Sequence, residues 1–291
     1  MDTRILRYFL AVAREKNITK ASEILHISQP SLSKQLIDFE NKLDKKLFVR
    51  GKRNITLTEE GNLLYKRAEE IIALIEKTEH EITSDSKIIN GNISIGGGIG
   101  LNSITYAASN LVNKYPQIYY HLISCDAEEV LEHLDNGTLD FGILIEPVDI
   151  LKYDYVSLPE NNKWGLLMKT DSELAEKPSV SPEDIEKIPL IIPKRIGIQR
   201  KISNWLKKDI NDMNIIATFN LIYTNTSLFV KNSLGYAVSL NNLIQTDENS
   251  DLCFRPFSPE IKVKFCIAWK KNRTLSKAAE KFLEEIKKIN F

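Results

Sequence analysis

Three amphipathic helical periods are packed into the first 43 residues and followed at once by a basic, glycine-centred hairpin pattern, and this order constrains the fold more than any other feature. Leu6, Phe9, Leu10 and Ala13 recur at spacings of three and four behind Asp2 or Thr3 as N-cap, the period of one buried helix face. A short second helix follows Thr19 as its predicted N-cap, buries Ala21, Ile24 and Leu25, and turns at His26-Ile27. The third starts at Ser28, with Gln29-Pro30 in its first turn, where the missing proline N–H costs nothing. Leu32, Leu36, Phe39 and Leu43 form its inner stripe, which leaves Gln29, Pro30, Ser33 and Lys34 on other faces.

Two short helices joined by about three residues, the second polar outside, describe a helix-turn-helix. Its second helix would enter a major groove N-terminus first, so Gln29, Pro30, Ser31, Ser33 and Lys34 are the residues expected at base edges and phosphates. Residues 47–50 and 55–57 read as two strands around Gly51, a wing whose Arg50, Lys52 and Arg53 would lie against the DNA backbone or an adjacent minor groove. A three-helix packing module with a solvated basic turn is the competing reading, and charge opposes it. Residues 1–57 hold 12 Lys+Arg against 6 Asp+Glu, the remainder 27 against 33, so a neutral chain carries a basic head suited to a polyanion.

The run Ile18-Thr19-Lys20-Ala21-Ser22-Glu23-Ile24-Leu25-His26-Ile27-Ser28-Gln29-Pro30-Ser31-Leu32-Ser33-Lys34-Gln35-Leu36, with Glu40, Leu43, Leu47-Phe48-Val49-Arg50 and Leu57-Thr58-Glu59-Glu60-Gly61, closely resembles the signature of LysR-type transcriptional regulators. The resemblance implies base contacts at Gln29, Pro30, Ser33 and Lys34 and wing contacts at Arg50 and Arg53. Lysine stands at position 34, where arginine is frequent in the family; a lysine keeps a phosphate contact but not bidentate guanine reading. It also implies a small-molecule effector, tetramers built as dimers of dimers, and RNA polymerase as a further partner.

Residues 58–86 are expected to form a linker helix, N-capped by Thr58, with Glu59 and Glu60 in the first turn where the dipole favours them. Gly61, Leu64, Ala68, Ile71, Ile75, Thr78 and Ile82 alternate spacings of three and four, a seam expected to bury against a second copy. Packing of the same seam on the chain's own body is the alternative. A homodimer would also suit a roughly palindromic promoter site.

From residue 91 the pattern becomes α/β. Strands at 93–95, 118–124 and 139–145 alternate with helices at 102–115 and 126–136, which predicts a parallel sheet with right-handed crossovers. A second series follows: strands at 164–168, 190–192, 215–221 and 236–239, helices at 182–187, 200–208 and 227–232, then strands at 252–254 and 263–269 and a helix at 275–289. By resemblance this is an effector-binding domain of periplasmic-binding-protein architecture, lobe I spanning 91–159 and 269–291 and lobe II 160–268. Ligands in such folds sit beyond the carboxyl ends of the strands. The residues expected there are Gly98, Ile99, Gly100 and Leu101 of a glycine loop that begins at Gly96 and Gly97, then Ser124, Cys125, Glu146, Pro193, Arg195, Asn225 and Thr226. Arg195 and the glycine loop point to an anionic effector group, Glu146 to a cationic one.

Cys125, Cys253 and Cys266 form no C-x-x-C pair and have no histidine at ligand spacing, so neither a disulfide framework nor a metal is expected. A thiol-based redox sensor of the same family remains the alternative, through Cys253 and Cys266, or through Cys125 with its acidity raised at a helix N-terminus. No nucleophile elbow, metal motif or dinucleotide fingerprint supports an enzyme. Charges interrupt every apolar run before the roughly 18 residues of a membrane span, and a cytoplasmic protein is expected.

Overall fold

The computed structural model describes residues 2–50, 55–83, 89–98, 100–220, 226–241, 243 and 250–289, the side chains of Arg50, Lys77, His80, Glu81 and Thr83 excepted. The chain divides into two compact units, Met1–Asp85 and Ser86–Phe291.

The first unit runs α1 (Thr3–Glu15), α2 (Ile18–Ile24), α3 (Gln29–Leu43), β1 (Phe48–Arg50), β2 (Ile55–Leu57) and α4 (Glu59–Thr83). Asp2 caps α1 by accepting from Arg4 N–H, and Ser28 caps α3 with Pro30 in the first turn, as the sequence implies. The cap of α2 is Asn17, whose Oδ1 accepts from Thr19 and Lys20 N–H at 2.9 and 3.1 Å. Thr19 is therefore already helical, the amide of Asn17 being better placed by one turn's geometry than the predicted hydroxyl. Leu6, Phe9, Val12, Leu32, Leu36 and Leu47 close a core over which α4 lies, with Ala68 and Ile72 buried in it. Each such aliphatic or aromatic side chain contributes about 1.5–3 kcal/mol by leaving water.

The second unit contains β3 (Gly91–Gly97), α5 (Asn102–Lys114), β4 (Ile118–Ser124), α6 (Ala127–Asn136), β5 (Phe141–Ile145), β6 (Tyr153–Ser157), β7 (Asn162–Lys169), α7 (Pro182–Ile185), β8 (Leu190–Pro193), α8 (Ile196–Leu206), β9 (Ile215–Phe219), α9 (Thr226–Lys231), β10 (Tyr236–Leu240), β11 (Leu252–Pro256), β12 (Lys262–Val263), β13 (Phe265–Lys270) and α10 (Lys277–Ile289). Two sheets form. The first has order β4-β3-β5-β13-β6, and the second β11-β7-β10-β8-β9 with β12 beside β7. The predicted βαβαβ core is parallel, β3 pairing with β4 and β5, and β8 with β9 and β10. Both sheets are mixed, however, because β13 runs against its neighbours β5 and β6 in the first and β7 runs against β10, β11 and β12 in the second.

The lobe boundary moves as a result. The stretch expected as one strand at 263–269 breaks at Lys264: Val263 pairs with Asn162 in the second sheet, while Phe265 pairs with Ile145 in the first. Lobe I thus regains the chain at residue 265 rather than 269. A side-chain period of two reads the same on both sides of such a crossing, so periodicity cannot locate it. Helix α8 likewise begins at Ile196, a turn earlier than the predicted 200. Strand β6 had no counterpart in the sequence reading.

Candidate nucleic-acid interface and inter-lobe cavity

On α3, Gln29, Pro30, Ser31 and Lys34 are exposed and Ser33 is half-buried, while Leu32 and Leu36 point inward with no more than 1% exposure. One helix face is thereby committed to the core and the other offers an amide, hydroxyls and a cation, the groups that read base edges. Ser31 is partly committed, its Oγ accepting from Gln35 Nε2 at 3.5 Å. The wing is an antiparallel pair with Phe48 opposite Leu57 and Arg50 opposite Ile55. Lys52 and Arg53 lie outside the described residues, as does the Arg50 side chain.

A residue that sequence reasoning quoted without a role ties the wing to the recognition helix. Glu40 is 2% exposed near the end of α3, and its Oε1 accepts from Leu47 and Phe48 N–H at 2.7 and 3.2 Å. The signal was available: an acidic residue on the apolar stripe side of an amphipathic helix must have buried donors. From the other end, Lys16 C=O accepts from Ile55 N–H at 3.1 Å.

The expected seam on α4 divides. Ala68 is fully buried in its own unit, and Leu64 and Ile71 pack against the same core, so the first half of the seam is used within the chain. Ile75 is half-buried, Thr78 exposed, and Ile82 is 78% exposed. The exposed apolar residues of α4 are instead Leu63, Leu74 and Ile82. Arg7 pairs with Glu76 at 2.6 Å and Arg14 with Glu69 at 3.2 Å, which orients α4 against α1.

In the second unit a cavity of about 260 Å³ opens between the two sheets. Lobe I contributes Gly98, Asp126, Glu128, Ile143, Ile145 and Phe265, and lobe II contributes Trp164, Pro193, Lys194, Arg195, Ile196, Phe219 and Leu240 among others. Of the expected residues, Gly98, Pro193 and Arg195 line it. Ile99 and Asn225 lie outside the described residues. Gly100 is exposed away from the lining, and Leu101 is buried as the N-cap residue of α5. Ser124 is exposed at the end of edge strand β4, and Thr226 is buried at the start of α9; neither lines the cavity. Glu146 turns aside to accept from the Ser157 hydroxyl.

The glycine loop is also shorter than predicted. Gly96 and Gly97 lie within β3, in register with Ile123 and Ser124 of β4. A Cβ at Gly96 would sit 2.3 Å from a Leu139 methyl, and one at Gly97 2.9 Å from Ile143 Cβ. These glycines serve sheet packing, and among the described residues of the run only Gly98 reaches the cavity. The residues missed, Trp164, Ile143, Phe219, Leu240 and Phe265, read in sequence as ordinary strand apolar positions. Nothing in a period of two separates a cavity wall from a core.

Electrostatically the two rims differ. Helix α6 is closed by a capping box, Asp126 Oδ1 accepting from Glu128 and Glu129 N–H while Glu129 Oε2 accepts from Asp126 N–H at 3.0 Å. Helix α8 has Arg195 at its N-cap and no side-chain cap. All three thiols are less acidic than usual. Burial pushes Cys125 up to about 11, with Glu129 adding to it, and Cys266 up to about 12; burial also raises Cys253. The helix N-terminus expected to activate Cys125 is occupied by Asp126. Cys253 on β11 and Cys266 on β13 belong to different sheets.

A winged helix-turn-helix with a polar recognition face, joined to a two-lobed α/β body enclosing a cavity, defines a DNA-binding transcription regulator. The bacterial regulatory helix-turn-helix, lysR family model matches residues 3–62 and the LysR substrate binding domain model residues 91–289. The chain belongs to the LysR family. It is similar to the Hca operon transcriptional activator HcaR of Escherichia coli (strain K12), 27% identical over 284 residues, 93% of this chain and 92% of that protein. Its similarity to the nitrogen assimilation regulatory protein nac of Klebsiella aerogenes, 32% over 149 residues, covers 50% of this chain and 49% of that one. Among solved structures, full-length CbnR complexed with its target DNA superposes with a TM-score of 0.75 at 18% identity, covering 99% of this chain and all of that one. No helix among the described residues is long and apolar enough to cross a membrane.

Proposed function

We propose that this regulator binds promoter DNA as a homodimer or dimer of dimers and that a small molecule seated in the inter-lobe cavity controls that binding. The observation carrying this is the pairing, in one chain, of an exposed polar α3 face with a separate, largely apolar cavity between two sheets. Gln29, Ser33 and Lys34 face the bases and phosphates of the major groove, and Arg50, Lys52 and Arg53 of the wing add salt-dependent backbone contact. Leu63, Leu74 and Ile82 supply the free apolar stripe of α4 for a second copy. Ligand in the cavity shifts the lobes toward one relative angle, and the change is read out as spacing or bend of two half-sites. The raised thiol pKa values favour a bound ligand over oxidation as the signal.

The test is a mobility shift on the DNA upstream of the chain's own gene, with salt titration. Wild type is expected to bind sequence-specifically, and Ser33→Ala/Lys34→Ala to lose that binding. A low-molecular-weight extract should alter the shift in wild type but not in Ile196→Trp, which fills the cavity from the exposed first turn of α8. Equal binding by the double variant would overturn the DNA assignment, and an undiminished extract response in Ile196→Trp the cavity assignment.

A further inference from the structure

The cavity's walls and rims differ in a way that specifies ligand chemistry more closely than the family does. Its walls are apolar and aromatic: Trp164, Leu240 and Phe265 are each at most 5% exposed, with Ile143 and Phe219 beside them. Burying such surface favours an apolar body. At about 260 Å³, set against roughly 30 Å³ per water, there is room for on the order of ten non-hydrogen atoms.

Charge at the rims is segregated by lobe. Lobe II presents Lys194 and Arg195 as consecutive residues just before α8. Neither makes an ion pair among the described residues. The first turn of α8 adds N–H groups without a side-chain cap, and Gly197 in that turn has nothing within 4 Å of where its Cβ would stand, so a ligand can approach the backbone. Lobe I presents the opposite sign. Asp126 already satisfies the N–H groups of α6 with its own carboxylate, and Glu128 lies beside it on the same rim. The lobe II rim therefore attracts an anion, and the lobe I rim repels one.

Resting on the cavity reading above, we infer that the effector is a small monoanion with an apolar or aromatic body, its anionic group held by Lys194, Arg195 and the first turn of α8. Its uncharged end lies toward Asp126 and Glu128. A second anionic group on the ligand is disfavoured, because Asp126 and Glu128 already put two carboxylates on the lining. The conflict left by the sequence, in which Glu146 argued for a cationic group, disappears because Glu146 is bonded to Ser157 outside the lining.

The test is hydrogen exchange on the full-length protein with hexanoate, cyclohexanecarboxylate and phenylacetate at millimolar concentration, each beside its amide and its primary amine. The expected result is carboxylate-specific protection of segments 164–168 and 193–199. Affinity should fall at least about tenfold in Lys194→Gln/Arg195→Gln, the loss of charge-assisted hydrogen bonds, and hold or improve in Glu128→Gln. If amides or amines protect these segments as well as the acids do, or the double variant binds acids like wild type, the monoanion inference is overturned while the cavity reading stands. If no carboxylate protects them, the inference also fails, and the extract response of wild type against Ile196→Trp separately decides the cavity reading.

Discussion

Replacing Glu40 by alanine should uncouple the wing from the recognition helix. One buried carboxylate oxygen accepts two backbone donors, Leu47 N–H at 2.7 Å and Phe48 N–H at 3.2 Å. Hydrogen bonds to a charged partner contribute about 1.5–3 kcal/mol each, and a buried amide left without an acceptor costs about 1–3 kcal/mol. Glu40→Ala is thus expected to cost about 3–5 kcal/mol, a large share of a small unit's stability. The Lys46 ion pair, at 3.5 Å with a mostly exposed ammonium, adds under about 1 kcal/mol to that. Glu40→Gln retains an acceptor oxygen and loses only the charge, so about 1–2 kcal/mol is expected. Urea melts give the totals, and native-state hydrogen exchange at Leu47 and Phe48 localises them; both amides should exchange more than about a hundredfold faster in the alanine variant. DNA affinity should fall in the order wild type, Gln, Ala. An alanine variant within about 0.5 kcal/mol of wild type, with both amides still protected, would refute this reasoning.

Three further outcomes are expected. In Gly61→Ala the new Cβ would stand 2.1 Å from Leu47 C=O, an oxygen held by Thr58 N–H at 3.0 Å. Overpacking of about 1–3 kcal/mol should outweigh alanine's helix preference of about 1 kcal/mol, and a raised melting temperature would contradict it. With Ellman's reagent at neutral pH, Cys125 and Cys266 should remain unlabelled long after half-buried Cys253 reacts, because burial keeps them as neutral thiols; prompt labelling of Cys125 would revive the redox alternative. Asp135, beside Lys270 and Tyr153, and Glu285, beside Lys114 and Lys288, are held below the usual carboxylate range. Depressed folded pKa values mean stability fully present above the unfolded values near 4 and lost as pH falls through the folded ones. The melting temperature of the second unit should be steady above about pH 5 and drop below about pH 4, less steeply in Asp135→Asn; an unchanged acid limb in that variant counts against the assignment.

The head of the molecule was legible because its signals are local. Ser28 as cap, Pro30 in the first turn and Leu32, Leu36 and Phe39 of the stripe each concern neighbours within a few residues, and the structure has them where the periods put them; the expected burial fails at the helix ends, where Leu43 and Ile24 are exposed. The cavity was legible only at strand ends and the connections into the following helices, at Gly98, Pro193 and Arg195. Its apolar walls were not, since Trp164 and Phe265 reach the cavity from different sheets, each assembled by long-range pairing that carries no local pattern. The α4 seam misled for a related reason: a three-four repeat fits the chain's own core as well as a partner, and the burial of Ala68 shows that its first half serves the former.

The return of β13 to the first sheet bears on how the chain is made. In the order β5-β13-β6, Tyr153–Ser157 pairs, among the described residues, with β13 and no other strand. On the ribosome, β6 is synthesised more than a hundred residues before its partner Phe265–Lys270, and β5 presents an open edge for the same interval. The whole second sheet, through Val263, emerges first. Lobe II can therefore finish while lobe I waits, and the waiting edge is an aggregation-prone surface of the nascent chain. A stop codon ahead of Phe265 removes β13 and leaves the β5 and β6 edges open, so such truncations should destroy solubility.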